Sequence, residues 1–360
     1  MNHKLKHIFN QFQVVAKFMD FCELNSGHIN DTYFIQTAQK PNYVLQKING
    51  TVFKNAKQLI SNKVLVSKYL QEKNVHLPLH KLQKKVLCFV VSKRGSYFYK
   101  DTLGDYWNLS IFIENSITYE RTPNSKIAFE AGKATGEFLA LTKDFDVKKL
   151  NDILPNFHSV NKRFLEFKDA FDNTTVERKK QAKKLIAFAN FHLEEMLELD
   201  HAIRDKIVPL RLTHNDTKIS NILFSKNQKS LCMIDTDTVM KGLLHFDYGD
   251  AIRTICNTLD EDSLEINKIE FNEEYFKKYT RGFLQELKEN ITLEELKYLP
   301  VSIKIMPFIM GLRFLTDFLN GNVYYKTAYK FHNFNRSQNQ FTLVEKIKEK
   351  YSTIESFFKT

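Results

Sequence analysis

The run of residues 212–237 constrains this chain more than any other part of it. A short apolar segment ends in Thr213-His214-Asn215-Asp216, Lys218 and Asn221 follow, and two more apolar segments, residues 222–224 and 230–234, lead to Asp235. Lys226-Asn227-Gln228 between those segments reads as the turn of a hairpin, so polar residues collect at its outer ends. His214, Asp216, Lys218, Asn221 and Asp235 can therefore converge at one place. Transfer of a phosphoryl group needs a carboxylate to take the hydroxyl proton, hard oxygen ligands for Mg²⁺ and positive charge on the moving group. Asp216 suits the base, Asn221 and Asp235 suit the metal, and Lys218 can reach toward a γ-phosphate. His214 is expected to fix the loop by hydrogen bonding. The plain alternative is a satisfied turn with Asp235 as a strand cap, but H-x-D-x-x-x-x-N spacing followed by a strand and a second strand ending in Asp favours the chemical reading.

Around that segment the chain changes character. Residues 32–37 and 42–48 alternate as a hairpin, residues 52–70 take a helical period, and strand-like runs follow at 85–92, 96–100 and 107–114. From residue 126 onward the periodicity is mostly helical, at 127–141, 161–170, 176–199, 270–287 and 299–319, with one strand cluster at 209–213, 222–224 and 230–234. The expected organisation is a strand-rich domain over residues 1–115 with one inserted helix, and a larger, mainly helical domain over residues 116–360.

Composition trims the alternatives. A chain of 360 residues, 43% hydrophobic, can bury the cores of about two domains. Its net charge of +11 invites a nucleic-acid partner, yet the Lys residues scatter along helical faces, with no finger spacing and no RNP-like aromatic run. Cys22, Cys88, Cys232 and Cys256 form no CxxC pair, so neither zinc nor a disulfide framework is expected, and a reducing compartment fits. The N-terminal helix, with Leu5, Ile8, Phe9, Phe12, Val15 and Met19 on its apolar side, lacks a signal-peptide core. Residues 299–319 are apolar but broken by Lys304, Pro307, Arg313 and Asp317, which suits a buried helix better than a membrane span. A cytoplasmic chain acting on a small molecule, without nucleic-acid or membrane partners, is expected; oligomeric state leaves no mark in the sequence.

The loop and hairpin resemble the catalytic loop and metal-binding strand of the protein-kinase-like superfamily, in its aminoglycoside/choline phosphotransferase branch. Closer similarity is to the N-acetylhexosamine 1-kinase family. It is carried by Asp216-Thr217-Lys218, Ile234-Asp235-Thr236-Asp237-Thr238-Val239-Met240 and Asp247-Tyr248-Gly249-Asp250-Ala251-Ile252-Arg253-Thr254. Tyr43-Val44-Leu45-Gln46-Lys47-Ile48-Asn49 with Val52-Phe53-Lys54, Phe112-Ile113-Glu114, Leu154-Pro155-Asn156-Phe157-His158 and Arg313-Phe314-Leu315-Thr316-Asp317 add to it. The resemblance implies an α+β, two-lobed kinase-like fold and transfer of the γ-phosphate of ATP, with Mg²⁺, to the C1 hydroxyl of N-acetylglucosamine or N-acetylgalactosamine. It makes Asp216 the base on the sugar hydroxyl, Asn221 and Asp235 the metal ligands, and Asp250, at a helix start, the brace of the loop. Arg313 and Tyr324 fall at sugar contacts, although Arg313 could instead pair with Asp317 along a helix. Gly27, beside His28, with Asn30 and Thr32 matches a phosphate-approaching loop, and Phe112, Ile113 and Glu114 match a hinge whose main chain meets adenine. Lys47 matches the strand cation for the α- and β-phosphates, yet residues 52–70 hold no Glu to pair with it, and Asn62 is the nearest polar substitute. Lys47 is thus either oriented otherwise or not that cation.

Three other readings compete with this one. A protein kinase shares the loop, but the chain has no G-x-G-x-x-G, no D-F-G and no A-P-E, and only 14 residues lie between Asp235 and Asp250. Other small-molecule kinases, for choline, homoserine or an aminoglycoside, remain open; a polycationic aminoglycoside sits poorly with a basic chain. A catalytically dead nucleotide binder is opposed by the complete set of base, Lys and metal ligands.

Overall fold

The computed structural model describes residues 1–24 and 29–359. Its N-terminal lobe is an antiparallel sheet of β1 (Phe18–Glu23), β2 (Asp31–Thr37), β3 (Tyr43–Lys47), β4 (Tyr99–Lys100) and β5 (Tyr106–Ile111) in the order β1-β2-β3-β5-β4. Because strand side chains alternate between faces, Tyr33, Ile35, Tyr43, Leu45, Trp107 and Leu109 share one face. They bury against Leu5, Ile8 and Phe9 of α1 (Asn2–Phe9) and Phe12 after it. The opposite face, with Val44, Gln46, Asn108 and Ser110, looks into the cleft between the lobes. Beside that face, bordering the same cleft, lies α2 (Ala56–Lys73), followed by α3 (Leu79–Lys85).

Two expectations for this lobe are corrected. The amphipathic run to Met19 is not one helix: α1 stops at Phe9, Val15 is fully exposed, and Phe18 enters an edge strand. Periodicity alone could not register that β2 offers a free edge to pair with. Residues 85–92 are not a strand either; apart from isolated bridges such as Phe89 to Ser110, they cover the sheet as irregular chain after α3.

The larger lobe is helical: α4 (Ser125–Leu141), α5 (Val160–Asn173), α6 (Val176–Gln181), α7 (Lys183–Met196), α8 (Glu198–Arg204), α9 (Leu244–Ile255), α10 (Glu273–Leu287), α11 (Leu293–Leu319), α12 (His332–Glu349) and α13 (Tyr351–Lys359). The expected single helix over 176–199 is therefore three shorter ones. Within this lobe, β6 (Ser116–Ile117) pairs with β8 (Ile222–Ser225), which pairs with β9 (Ser230–Met233), while β7 (Arg211–Thr213) pairs with β10 (Met240–Gly242). Helix α11 starts at a capping box of Thr292 and Glu295. It is long and apolar enough to cross a membrane, but 89% of its apolar window is buried inside the fold, where it packs on α5, α9 and α12. Helices α4 and α10 meet backbone to backbone: a Cβ on Gly132 would come 2.0 Å from the Tyr279 carbonyl, and one on Gly282 2.2 Å from that of Phe129.

Candidate active site

The catalytic loop is held by main-chain hydrogen bonds to carboxylates on α9. Asp247 accepts from the His214 N–H at 2.8 Å and the Asn215 N–H at 2.7 Å, and Asp250 accepts from the Thr217 N–H at 2.9 Å. The His214 ring bonds the Ile234 carbonyl at 2.9 Å, which ties the loop to the end of β9. His214 is thus an internal strut, with burial lowering its pKa. Asp250 sits inside α9 rather than at its start, since the helix begins at Leu244, and it is paired with Arg253 at 2.8 Å. Asp247, which sequence reasoning quoted without a role, carries as much of the loop as Asp250.

So braced, Asp216 stands at the cleft floor, its side chain 30% exposed. Asn221 donates to its Oδ2 and to its carbonyl, both at 2.9 Å, and the Lys218 Nζ lies 3.7 Å from Oδ2. Burial would raise Asp216, but Lys218 and its other neighbours outweigh that and hold it below the ordinary carboxylate value. Lys218 is raised: burial opposes its charge, and Asp216, Asp235 and Asp250 more than restore it. The Ile234 N–H donates to the Asn221 carbonyl at 2.8 Å, setting Asp235 beside Asn221. Asp235 adopts a left-handed backbone, φ 58°, which is uncommon outside glycine and is met at functional turns. Burial, then Asp237 and Asp216, push Asp235 up to about 7.

These residues fit a divalent cation. Asn221 spends its amide nitrogen on Asp216, leaving its side-chain oxygen free to ligate a metal, and Asp235 is a half-buried carboxylate whose ionisation is penalised by desolvation and by the neighbouring Asp237 and Asp216. Among the described residues no cluster of three or more His, Cys, Asp or Glu could hold a metal ion. Mg²⁺ takes one or two carboxylates and substrate phosphates rather than an all-protein cage, and Asn221 with Asp235 would supply that number of protein ligands.

Above this floor opens a cleft of about 850 Å³. On its sheet side Asn30, Thr32, Phe112 and Ile113 line the wall; Gly27 and His28 lie outside the described residues. Glu114 does not line the cleft; it accepts from Asn42 at 2.9 Å and pairs with Lys40. Lys47 is likewise not at the cleft. The pleat of β3 turns it to the other face, where it pairs with Asp31 at 2.8 Å and approaches Asp105 at 3.9 Å, and its bond to Asp31 raises its pKa. Gln46 faces the cleft in its place, bonded to Lys63 of α2, which pairs with Asp237. Lys63, Gln46 and Asp237 were missed as a group; the unassigned second acid of Ile234-Asp235-Thr236-Asp237 was the available signal.

At the far end Arg313 lies 4.8 Å from the Phe157 ring centre, 5.5 Å from that of Tyr325 and 5.8 Å from that of Tyr324. Among the described residues it has no carboxylate within ion-pair distance. Asp317 is spent elsewhere, accepting from the N–H groups of Val323, Tyr324 and Tyr325 at 2.8, 2.8 and 3.0 Å. Nearby acids are already paired, Glu261 with Arg253 at 2.6 Å and Asp262 with Arg336 at 2.5 Å. His158 touches the same region, bonding the Asn215 carbonyl at 3.1 Å; burial, then Arg313, drive its pKa down to about 3.

Comparison with known proteins agrees with this architecture. A family model described as "Phosphotransferase enzyme family" matches residues 20–287. A spectinomycin phosphotransferase in complex with ADP and spectinomycin is similar in fold, with a TM-score of 0.62 at 11% identity, covering 96% of this chain and 98% of that one. A choline kinase from Cryptosporidium parvum Iowa II gives 0.61 at 15% identity over 100% of both chains. A microcompartment-associated aminopropanol kinase gives 0.60 at 12% identity over 99% of each.

Proposed function

The chain belongs to the phosphotransferase enzyme family, and from that premise we propose that it is an ATP- and Mg²⁺-dependent small-molecule kinase whose acceptor is the anomeric C1 hydroxyl of an N-acetylhexosamine. Asp216 takes the hydroxyl proton as the new O–P bond forms and the bond from the γ-phosphorus to the β-phosphate oxygen breaks, releasing ADP. Its lowered pKa keeps it ionised for that purpose. Lys218, charged and 3.7 Å from Asp216, sits where it can neutralise the transferring group. Asn221 and Asp235 would hold Mg²⁺, which supplies charge neutralisation on the nucleotide phosphates.

The observation that carries the acceptor class is Arg313, ringed by Phe157, Tyr324 and Tyr325 with no carboxylate partner among the described residues. A choline or aminoglycoside cation wants free carboxylates, and Glu261 and Asp262, the cleft acids on the Tyr325 side, are engaged by Arg253 and Arg336. A neutral sugar offers hydroxyl and acetamido oxygens to a guanidinium and an apolar face to the rings. The test is a panel of N-acetylglucosamine, N-acetylgalactosamine, choline, homoserine and kanamycin with ATP and Mg²⁺, the product read by ³¹P NMR. A sugar 1-phosphate is expected. Preferential phosphorylation of choline or kanamycin would sink the reading.

A further inference from the structure

We propose that Lys63, carried by α2, is the cation that meets the α- and β-phosphates of the nucleotide, in place of any lysine on β3. The inference rests on the reading of the cleft as a nucleotide site. Residues 43, 45 and 47 of β3 share the face turned away from the cleft, and Lys47 is committed there to Asp31 and Asp105. The same strand shows the cleft Val44 and Gln46, so a phosphate chain crossing it meets an amide instead of a cation.

The helix supplies what the strand lacks. Lys63 lines the cleft with its side chain only 5% exposed, donates to Gln46 Oε1 at 2.7 Å and pairs with Asp237 Oδ1. Asp237 is anchored in turn, its Oδ2 accepting from Asn30 and, at 3.2 Å, from Gln46. An ammonium has three donors. Gln46 and Asp237 use two and fix its direction, leaving one for an anion arriving in the cleft. The usual geometry of a cation on the strand and an acid on the helix is inverted: the cation comes from the helix and the acid from the loop two residues past Asp235. Asp237 is then a positioning residue and Lys63 the contact. A charge-assisted bond to phosphate is about twice as strong as a neutral one, so its loss should be felt by a phosphorylated ligand and not by a bare nucleoside.

Calorimetric titration of ADP and of adenosine, without acceptor, tests this. The variant Lys63→Met/Asp237→Asn removes both charges together, so neither is left buried and alone. ADP should weaken about tenfold or more, with adenosine within about twofold of wild type. Lys47→Met should leave both ligands unchanged, and Gln46→Lys/Lys63→Gln should recover part of the ADP affinity by returning the cation to the strand. Undiminished ADP binding in the double variant overturns the inference alone. So does an equal loss for ADP and adenosine, which marks a structural role, or a loss of ADP binding in Lys47→Met. Wild-type protein that fails to bind ADP overturns the kinase reading as well.

Discussion

Asp216 is held ionised, oriented by Asn221 and open to the cleft, so removing its charge without its shape should abolish its proton acceptance and little else. Asp216→Asn should lower turnover about 10²–10⁴-fold, the usual contribution of a positioned base, while calorimetry shows ADP bound as in wild type. Near-normal turnover would remove Asp216 from the chemistry. On the proposed reading Arg313 serves the acceptor end: Arg313→Ala should raise the KM for the proposed sugar acceptor well above any change in that for ATP, and the reverse order would refute its placement. The grouping of the residues proposed to carry chemistry was legible in the sequence because their spacing is local, five residues from Asp216 to Asn221 and one short hairpin to Asp235. Lys47 misled for an equally local reason. In a pleat of period two, an offset of one residue changes the face, and only the packing of Tyr43 and Leu45 under α1 decides which face looks inward.

Among elements, the α4/α10 pair and the turn after α11 depend on single residues. At Gly132 and Gly282 the helices touch through their backbones, so a methyl group must push them apart. Gly132→Ala should cost about 1–3 kcal/mol, as overpacking a filled core does, read as a lower urea midpoint with an unchanged slope. An unaltered midpoint would mean the helices separate freely. Asp317 gathers three backbone N–H groups from residues 323–325 and so sets where Tyr324 and Tyr325 stand. Asp317→Ala should raise the acceptor KM while ADP binding stays unchanged; equal damage to both would show that it only supports the fold. Helices α4, α5, α10 and α11 were legible from their apolar period, and α9 was not. Every residue of α9 except Thr254 is buried, so it has no polar stripe to reveal its period. The strand β1 was missed because its partner edge is formed by residues after it in the chain.

For the whole molecule, acid response follows from groups buried in opposite senses. His158, driven down to about 3, and His245, driven down to about 4 with burial as the leading cause, stay neutral in the folded state while the unfolded chain binds protons below about 6.5. Their contribution is complete above that pH and is lost as pH falls toward 4. Asp235, pushed up to about 7, works the other way, costing stability as pH rises from about 4 to 7. The informative quantity is therefore a difference. Between pH 6.5 and 4, the stability of His158→Gln should fall less steeply than that of wild type, by about 1.4 kcal/mol per pH unit, the value of one proton. Parallel curves by chemical denaturation would mean that the ring titrates normally. The chain leaving the upper sheet at Ile111 is stitched to the catalytic hairpin again at Ser116 and Ile117, which pair with Ser225 and Phe224. Any swing of the sheet over the nucleotide must therefore pivot within residues 112–115, where Asn115 already takes a left-handed turn. Phe112 and Ile113, which border the cleft, thus lie within its fulcrum, so stiffening this segment, or bulking one of its residues, would reset how far the mouth opens without altering a single reacting group.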